Sequence, residues 1–189
     1  MWKKLLLIIT FSVCVLSSIN AKSIVIYFSK TGEQYNVGVI NEGNTAKVAK
    51  EIARQTNSDI WEIVPVKKYP EAYKATTEVA IKEQREKARP AIKGPLPDLS
   101  IYDTIYLGYP IWWEDLPMCV YTFLESVNLS GKTIMPFCTN EGSGECGTSA
   151  TIQKLQKKAV VKKTLSIRGT TAQNNHDTVV KEVIAWLGR

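Results

Sequence analysis

Short apolar runs alternate with longer segments of helical periodicity along most of the chain. Residues 23–28 form an apolar, β-rich run too short for a helix, and residues 45–54 then place apolar side chains at helical spacing. The whole alternation predicts strands at residues 23–28, 59–64, 104–108, 133–138 and 160–167, and helices at 45–54, 71–89, 117–127, 148–158 and 176–187. This order favours an α/β fold with a parallel sheet covered on both faces.

The first 21 residues differ from this pattern. Lys3 and Lys4 precede an apolar run over residues 5–16, and small or polar residues follow as far as Ala21. This arrangement is typical of a secretory signal peptide, and the run is short for a bilayer span. We therefore expect cleavage after Ala21, a single domain over residues 22–189 with no permanent membrane span, and an extracytoplasmic location such as a bacterial periplasm.

Charge and composition exclude several classes of function. The formal charge is +6, and loss of a leader carrying Lys3 and Lys4 lowers it to +4. The basic residues of segments 67–89 and 154–163 are scattered at helical or strand spacing, which favours solvated surfaces over a nucleic-acid groove. A single histidine and no clustered ligand spacing argue against a metal site. We expect neither nucleic-acid binding nor a bound metal.

The loop after the first predicted strand has the composition of a phosphate site. It runs from Ser29-Lys30-Thr31-Gly32 to Gly43-Asn44-Thr45, immediately before a predicted helix. Backbone N–H groups at a helix N-terminus attract anions, and hydroxyl groups donate further hydrogen bonds. This loop is interpreted as a phosphate cradle.

Two further loops follow predicted strands at the same edge of the sheet. One places Trp112 and Trp113 close to Pro110, and flat aromatic side chains at a binding edge stack on flat ligands. The alternative, that both tryptophans are simply core residues, stays open at this stage. The other loop, residues 139–147, is rich in glycine, which lets backbone donors approach a polar ring edge. Parallel-sheet geometry brings the three loops to one crevice.

Together these loops resemble the flavodoxin family, in particular a subgroup whose phosphate loop is interrupted. The resemblance rests on Tyr27-Phe28-Ser29-Lys30-Thr31-Gly32 and the separated Gly43-Asn44-Thr45, on Gly108-Tyr109-Pro110-Ile111-Trp112-Trp113, on Leu116-Pro117-Met118, and on residues 139–147. It spans essentially all of residues 22–189. It implies a flavodoxin-like doubly wound sandwich with a five-stranded parallel sheet in the order 2-1-3-4-5, and one bound FMN.

The resemblance also implies which residues hold the FMN. The phosphate would lie against the first loop, and the isoalloxazine ring between the other two. The implied cofactor-binding residues are Ser29, Thr31, Gly43, Asn44, Thr45 and Ala46 in the first loop, and Pro110, Ile111, Trp112, Trp113, Thr139, Asn140, Gly142 and Gly144 in the others. Within the insertion, residues 33–42, the segment 35–40 either swings away from the phosphate or covers the flavin.

Three functions are consistent with these features. The favoured one is an exported electron-transfer flavoprotein, which needs no catalytic side chain because the cofactor carries the redox chemistry. Its partner would be a redox protein or a small-molecule electron acceptor. The first alternative is an FMN-dependent NAD(P)H quinone or nitro-compound oxidoreductase. The second is a binding module that keeps the fold without the flavin.

Two features of the sequence stay outside this assignment. His176 stands where a helix is predicted to begin, so helix initiation is favoured over acid–base catalysis. Cys138 and Cys146 are separated by one loop; in an oxidising compartment they could pair, and two buried apolar thiols are equally consistent with the sequence.

Overall fold

The structure is a computed structural model that describes residues 22–189, so the expected leader lies outside the described residues. The strands are β1 (Ser23–Tyr27), β2 (Gly32–Gln34), β3 (Gly38–Ile40), β4 (Asp59–Glu62), β5 (Thr104–Pro110), β6 (Thr133–Asn140), β7 (Val160–Val161) and β8 (Leu165–Arg168). The helices are α1 (Asn44–Thr56), α2 (Tyr73–Arg85), α3 (Met118–Ser126), α4 (Thr148–Leu155), α5 (Gly169–Asn174) and α6 (His176–Trp186). Within residues 22–189, no helix is both long and apolar enough to cross a bilayer.

The main sheet is parallel and has the predicted topology. Its order is β4-β1-β5-β6, and β7 and β8 pair with the beginning and the end of β6. The predicted fifth strand, residues 160–167, is therefore one interrupted strand that resumes after residues 162–164. Counted this way, the five predicted strands take the order 2-1-3-4-5, and the flavodoxin-like fold is confirmed.

Both faces of the sheet are covered, as the apolar strands predict. In β1, Ile24 and Ile26 pack into one core cluster with residues of α3 and α4, whereas Val25 and Tyr27 pack into a second cluster with residues of α1 and α6. Alternate side chains of a strand point to opposite faces, so a strand between two helical layers must be apolar throughout.

Three local features differ from the sequence-based expectation. Residues of the insertion form an antiparallel hairpin, β2–β3, which was not predicted. The short helix α5 was also not predicted. The second helix is shorter than the predicted residues 71–89, since α2 begins at Tyr73, whose N–H is capped by the Glu33 carboxylate, and Lys87 turns into the left-handed region at φ 49°.

Candidate functional site

A cleft of about 250 Å³ lies at the carboxyl ends of the central strands. This is the edge at which open parallel sheets bind ligands. The hairpin, α2, the loop after β5 and the loop after β6 all contribute to it. Its lining residues are Lys30, Glu33, Gln34, Tyr35, Asn44, Tyr73, Thr76, Thr77, Ala80, Pro110, Ile111, Trp112, Trp113, Thr139, Asn140 and Glu141.

One side of the cleft, which we call the aromatic wall, consists of Tyr35, Tyr73, Trp112 and Trp113. The rings of Tyr35 and Tyr73 lie 5.7 Å apart between centroids. Trp112 is partly buried against the core and meets Tyr69 edge-on at 4.8 Å between centroids. The wall is thus continuous with the core on its Trp112 side.

Trp113 occupies the rim of this wall. It is 52% exposed, and its Nε1–H donates to the carbonyl of Thr77 in α2 at 2.9 Å. Trp113 and Glu114 both have positive φ, at 48° and 60°, and form a tight turn closed by hydrogen bonds between Trp112 and Asp115. This turn projects the Trp113 indole toward α2. The two tryptophans therefore differ. Trp112 packs on the core, as the core interpretation predicts, whereas Trp113 lies at the exposed rim of the cleft.

The hairpin is fixed to the start of α2. The Glu33 N–H donates to the Glu71 carbonyl at 2.9 Å, and the Glu33 carboxylate accepts from the Tyr73 N–H at 2.8 Å. At Gly32, φ is 81°, and a side chain would collide with Glu71. The first residues of the insertion, Glu33, Gln34 and Tyr35, therefore line the cleft.

Lys30 connects the hairpin with the loop before α2. Its Nζ donates to the carbonyls of Thr31 at 2.9 Å, Glu71 at 3.2 Å and Glu33 at 3.3 Å. An ammonium group has three N–H donors, so these contacts use all of them. Burial lowers the pKa of Lys30, and the carboxylates of Glu71 and Glu33 oppose that shift. Lys30 serves here to position backbone.

A second part of the cleft lining, which we call the polar wall, consists of Thr139, Asn140 and Glu141. Thr139 is 3% exposed, and its hydroxyl shares a 2.8 Å hydrogen bond with the hydroxyl of Thr45. The Asn140 side-chain oxygen accepts from the N–H groups of Gly142 at 2.8 Å and Gly144 at 3.1 Å. Each polar-wall side chain is thus held by hydrogen bonds.

Glu141, the third member of the polar wall, caps the short helix α5. Its Oε1 accepts from the Thr170 N–H at 2.7 Å. Next to it, the Asn44 side-chain oxygen accepts from Gln173 of α5 at 2.9 Å. A side chain at Gly169 would collide with Asn44 and Glu141. α5 therefore ties the start of α1 to the polar wall.

The start of α1 has the features of an anion site. The cap residue Gly43 provides no side-chain hydrogen bond, and the first turn carries no acidic residue. Ser29 Oγ accepts from the Ala46 N–H at 3.1 Å, which leaves its own hydrogen free to donate. A side chain at Gly43 would collide with Ser29 and the Lys30 backbone, so glycine is required for this close approach. Apart from the contact with Ser29, no side chain caps the positive end of this helix.

The structure brings about half of the predicted site residues into the lining of the cleft. Those that line it are Asn44, Pro110, Ile111, Trp112, Trp113, Thr139 and Asn140. Ser29, Gly43, Thr45 and Ala46 lie behind the lining at the start of α1, Thr31 is exposed at the base of the hairpin, and Gly142 and Gly144 lie further along the polar loop.

Sequence reasoning missed the contributions of the hairpin and of α2. These are chiefly Tyr35, Tyr73, Thr76 and Thr77. Residues 71–89 were interpreted only as a charged helical stretch, and the one available signal was Tyr35 within the interruption of the phosphate loop.

Two remaining predictions concern residues outside the cleft. His176 begins α6, and the cap of that helix is the side chain of Asn175, which accepts from the Thr178 N–H at 3.0 Å. Among residues 22–189, no group of three or more His, Cys, Asp and Glu side chains could hold a metal ion.

Comparison with solved structures gives three informative similarities. A candidate flavoprotein from Bacteroides uniformis ATCC 8492 is 30% identical, with a TM-score of 0.68 over 89% of this chain and 99% of that one. One from Bacteroides eggerthii DSM 20697 is 27% identical, with a TM-score of 0.68 over 89% and 97%. A flavoprotein from Lactobacillus acidophilus NCFM, solved in complex with FMN, is 20% identical, with a TM-score of 0.60 over 80% and 95%, and shows the shared fold.

Comparison with curated proteins found no match. In contrast, the sequence model of a family described as Flavodoxin matches residues 22–183. That match covers every strand of the main sheet and all the residues that line the cleft. This chain belongs to the flavodoxin family.

Proposed function

We propose that this chain binds one FMN in the cleft and serves as an electron-transfer flavoprotein. The observation that carries the proposal is the combination, at one cleft, of a helix N-terminus that its own cap residue leaves uncapped, an aromatic wall and a polar wall. When bound, FMN supplies the redox chemistry, and the protein binds, orients and shields it.

The start of α1 fits the phosphate of FMN. The first N–H groups of a helix have no intrahelical acceptor. Here the Ala46 N–H donates to Ser29, and the cap residue and the first turn supply neither a capping side chain nor an acidic residue for the others. The Ser29 hydroxyl, already accepting from Ala46, has a hydrogen left to donate. Asn44, Thr45 and Ser29 would hold the phosphate through these donors.

The two walls fit a flat ring with one apolar face and polar edges. Trp112 and Trp113 offer aromatic surface on one side. Thr139 and Asn140 offer hydrogen-bonding groups on the other. The hairpin adds a further side to the cleft, since Tyr35 packs against Tyr73 of α2 at the rim.

The position of Trp113 favours a carrier over a reductase. Its indole lines the cleft and is held to α2 through the Thr77 carbonyl. In this position it would obstruct the stacking of a nicotinamide on a ring bound in the cleft. Single electrons can still pass through an exposed ring edge.

Stopped-flow absorbance on the FMN-loaded protein tests this choice. We expect slow reduction by NADH or NADPH and fast reduction by a small one-electron donor. Turnover with a nicotinamide and a quinone at ordinary enzyme rates, about 1 to 1,000 per second, would show that the protein is a reductase.

A matched pair of variants tests whether Trp113 is the obstruction. Trp113→Ala opens the rim and should raise the rate of reduction by NADH. Trp186→Ala is the control, because that indole also donates to a backbone carbonyl, that of Lys163 at 2.8 Å, but lies outside the cleft lining. Equal rates in both variants would exclude Trp113 as the gate.

We also propose export to an extracytoplasmic compartment. The leader pattern of Lys3, Lys4, the apolar run and Ala21 supports this, as does the family match, which begins at residue 22. Terminal sequencing of the cellular protein should find Lys22 first in the extracytoplasmic fraction, and an intact Met1 in the cytoplasm would contradict it.

A further inference from the structure

Two thiols point at one carbonyl beside the polar wall. The sulfur of Cys138, near the end of β6, lies 3.9 Å from the Gly144 oxygen, and the sulfur of Cys146 lies 4.0 Å from the same oxygen. The two sulfurs are thus no further apart than these two distances together. Neither thiol is bonded to another cysteine in this structure.

The two cysteines differ in access to solvent. Cys138 is fully buried, and burial raises its pKa to about 12. Cys146 is partly exposed, in the loop between β6 and α4. Because the thiolate is the reactive form, the accessible Cys146 would react first, and Cys138 would follow when the loop moves.

The loop that separates them contains several residues in the left-handed region. Gly142 and Gly144 have φ values of 117° and 72°, and space is open within 4 Å of where a side chain at Gly144 would lie. Cys146 itself has φ 52°, which residues with a side chain rarely adopt. The backbone at Cys146 is therefore strained, and the space beside Gly144 is unfilled.

We propose that Cys138 and Cys146 are a redox-active pair that closes to a disulfide across this loop. The oxidant is a disulfide, of a small molecule or a protein. The Cys146 thiolate attacks it, forming a mixed disulfide and releasing one thiol. The Cys138 thiolate then attacks the Cys146 sulfur and releases the second thiol. The pair loses two protons and two electrons, and the oxidant is reduced to two thiols.

Disulfide formation would affect the cofactor cleft through Asn140, which lines it. This consequence rests on the proposed function. Asn140 holds the N–H groups of Gly142 and Gly144, and its amide nitrogen lies 4.0 Å from the Cys138 sulfur. Drawing Cys146 toward β6 moves the segment that these hydrogen bonds fix. The disulfide form should therefore bind FMN about tenfold more weakly, as expected for the loss of one or two hydrogen bonds.

Peptide mapping of the full chain detects a disulfide between Cys138 and Cys146 directly. Trypsin cleaves after Lys132 and Lys154, and the peptide between them contains Cys138 and Cys146 but no other cysteine. After incubation in graded mixtures of reduced and oxidised glutathione, free thiols are alkylated. We expect this peptide to carry two alkyl groups in reducing buffer, and none, with a mass lower by two hydrogens, in oxidising buffer.

Matched variants complete the test. Cys119→Ser removes the third described thiol, which is buried in α3, and should leave the transition unchanged. Cys146→Ser, at a partly exposed position that does not depend on refilling the core, should abolish it. Two results would contradict the proposed disulfide. In one, the wild-type peptide stays doubly alkylated in every buffer; in the other, it gains only a glutathione adduct on Cys146.

FMN titration of both redox forms tests the coupling. An unchanged dissociation constant would overturn the link to the cleft and leave the disulfide itself established. If neither form binds FMN, the proposed function fails, while the peptide map still decides whether the cysteines pair.

Discussion

The two walls of the cleft are held in place by different forces. The aromatic wall is anchored by packing, since Trp112 lies edge-on to Phe28 and Tyr69 at 5.3 and 4.8 Å between centroids. The polar wall is anchored by hydrogen bonds, including the buried one between Thr45 and Thr139. Packing depends on shape and area, whereas a hydrogen bond depends on particular atoms.

This difference means that substitutions in the two walls should have different signatures. A truncation in the aromatic wall should lower the stability of the whole domain, because its contacts continue into the core. A substitution in the polar wall should act mainly on the position of one loop and on the ligand that it contacts. The predictions below compare these signatures.

The largest expected effect is that of Trp112→Ala. Removing this indole takes edge contacts from Phe28 and Tyr69 and leaves a cavity, so we expect a loss of about 3 kcal/mol in the free energy of unfolding. Urea unfolding followed by circular dichroism measures it.

Trp113→Ala is the control within the same wall. Because Trp113 is 52% exposed, its loss should cost less than about 1 kcal/mol. If both variants lose the same stability, the division into a core-packed and a rim tryptophan is wrong.

A smaller effect is expected behind the aromatic wall, at Glu83. The Tyr69 hydroxyl donates to the Glu83 carboxylate at 2.7 Å, and burial raises the pKa of Glu83 above its ordinary value of 4.5. Between that value and the raised pKa, the folded protein holds a proton that the unfolded chain has released. The contribution of Glu83 to stability is therefore lost as the pH rises through this window.

Glu83→Gln removes this ionisation. Relative to the variant, the wild-type protein should lose stability as the pH rises above 4.5 and then reach a constant difference. Urea titrations over about pH 4 to 8 compare the two. A difference that does not vary with pH would contradict the burial of this carboxyl.

The sheet could be predicted from the sequence because the apolar composition of each strand reflects its own burial. Val25 and Ile26 point to opposite faces, and both are fully buried. A run that is apolar at every position is compatible only with a strand that is covered on both sides. Such a signal is local, so a strand can be recognised without knowing which strands pair with it.

The hairpin could not be predicted, since its stability comes from elsewhere in the chain. Its strands have three residues each, and Val39 is 79% exposed, so no buried periodicity marks them. What fixes them is the contact of Lys30 and Glu33 with the residues before α2, some forty positions away. Tertiary contacts of this kind leave no periodic pattern in the sequence.

The helix α5 was missed for a related reason. It begins Gly169-Thr170-Thr171, residues of low intrinsic helix propensity. Its first N–H groups are capped by Glu141 from another loop, and Gln173 bonds to the start of α1. The same long-range contacts that make this segment helical also connect the start of α1 to the polar wall. Neither the helix nor this connection could therefore be predicted from local sequence patterns.

The central claim is that FMN binds in the cleft with its phosphate at the start of α1. Paired titrations with FMN and with riboflavin, which lacks the phosphate, test it on the wild-type protein and on Ser29→Ala, followed by flavin absorbance and fluorescence. Ser29 is chosen because its hydroxyl still has a hydrogen to donate, whereas the Thr45 hydroxyl is buried and bonded to Thr139. We predict that the wild type binds FMN more tightly than riboflavin. The variant should lose about 1.5 to 3 kcal/mol of FMN affinity, the value of a hydrogen bond to a charged group, with riboflavin affinity almost unchanged. Equal losses for the two ligands would place Ser29 away from the phosphate, and no binding of either by the wild type would contradict the account.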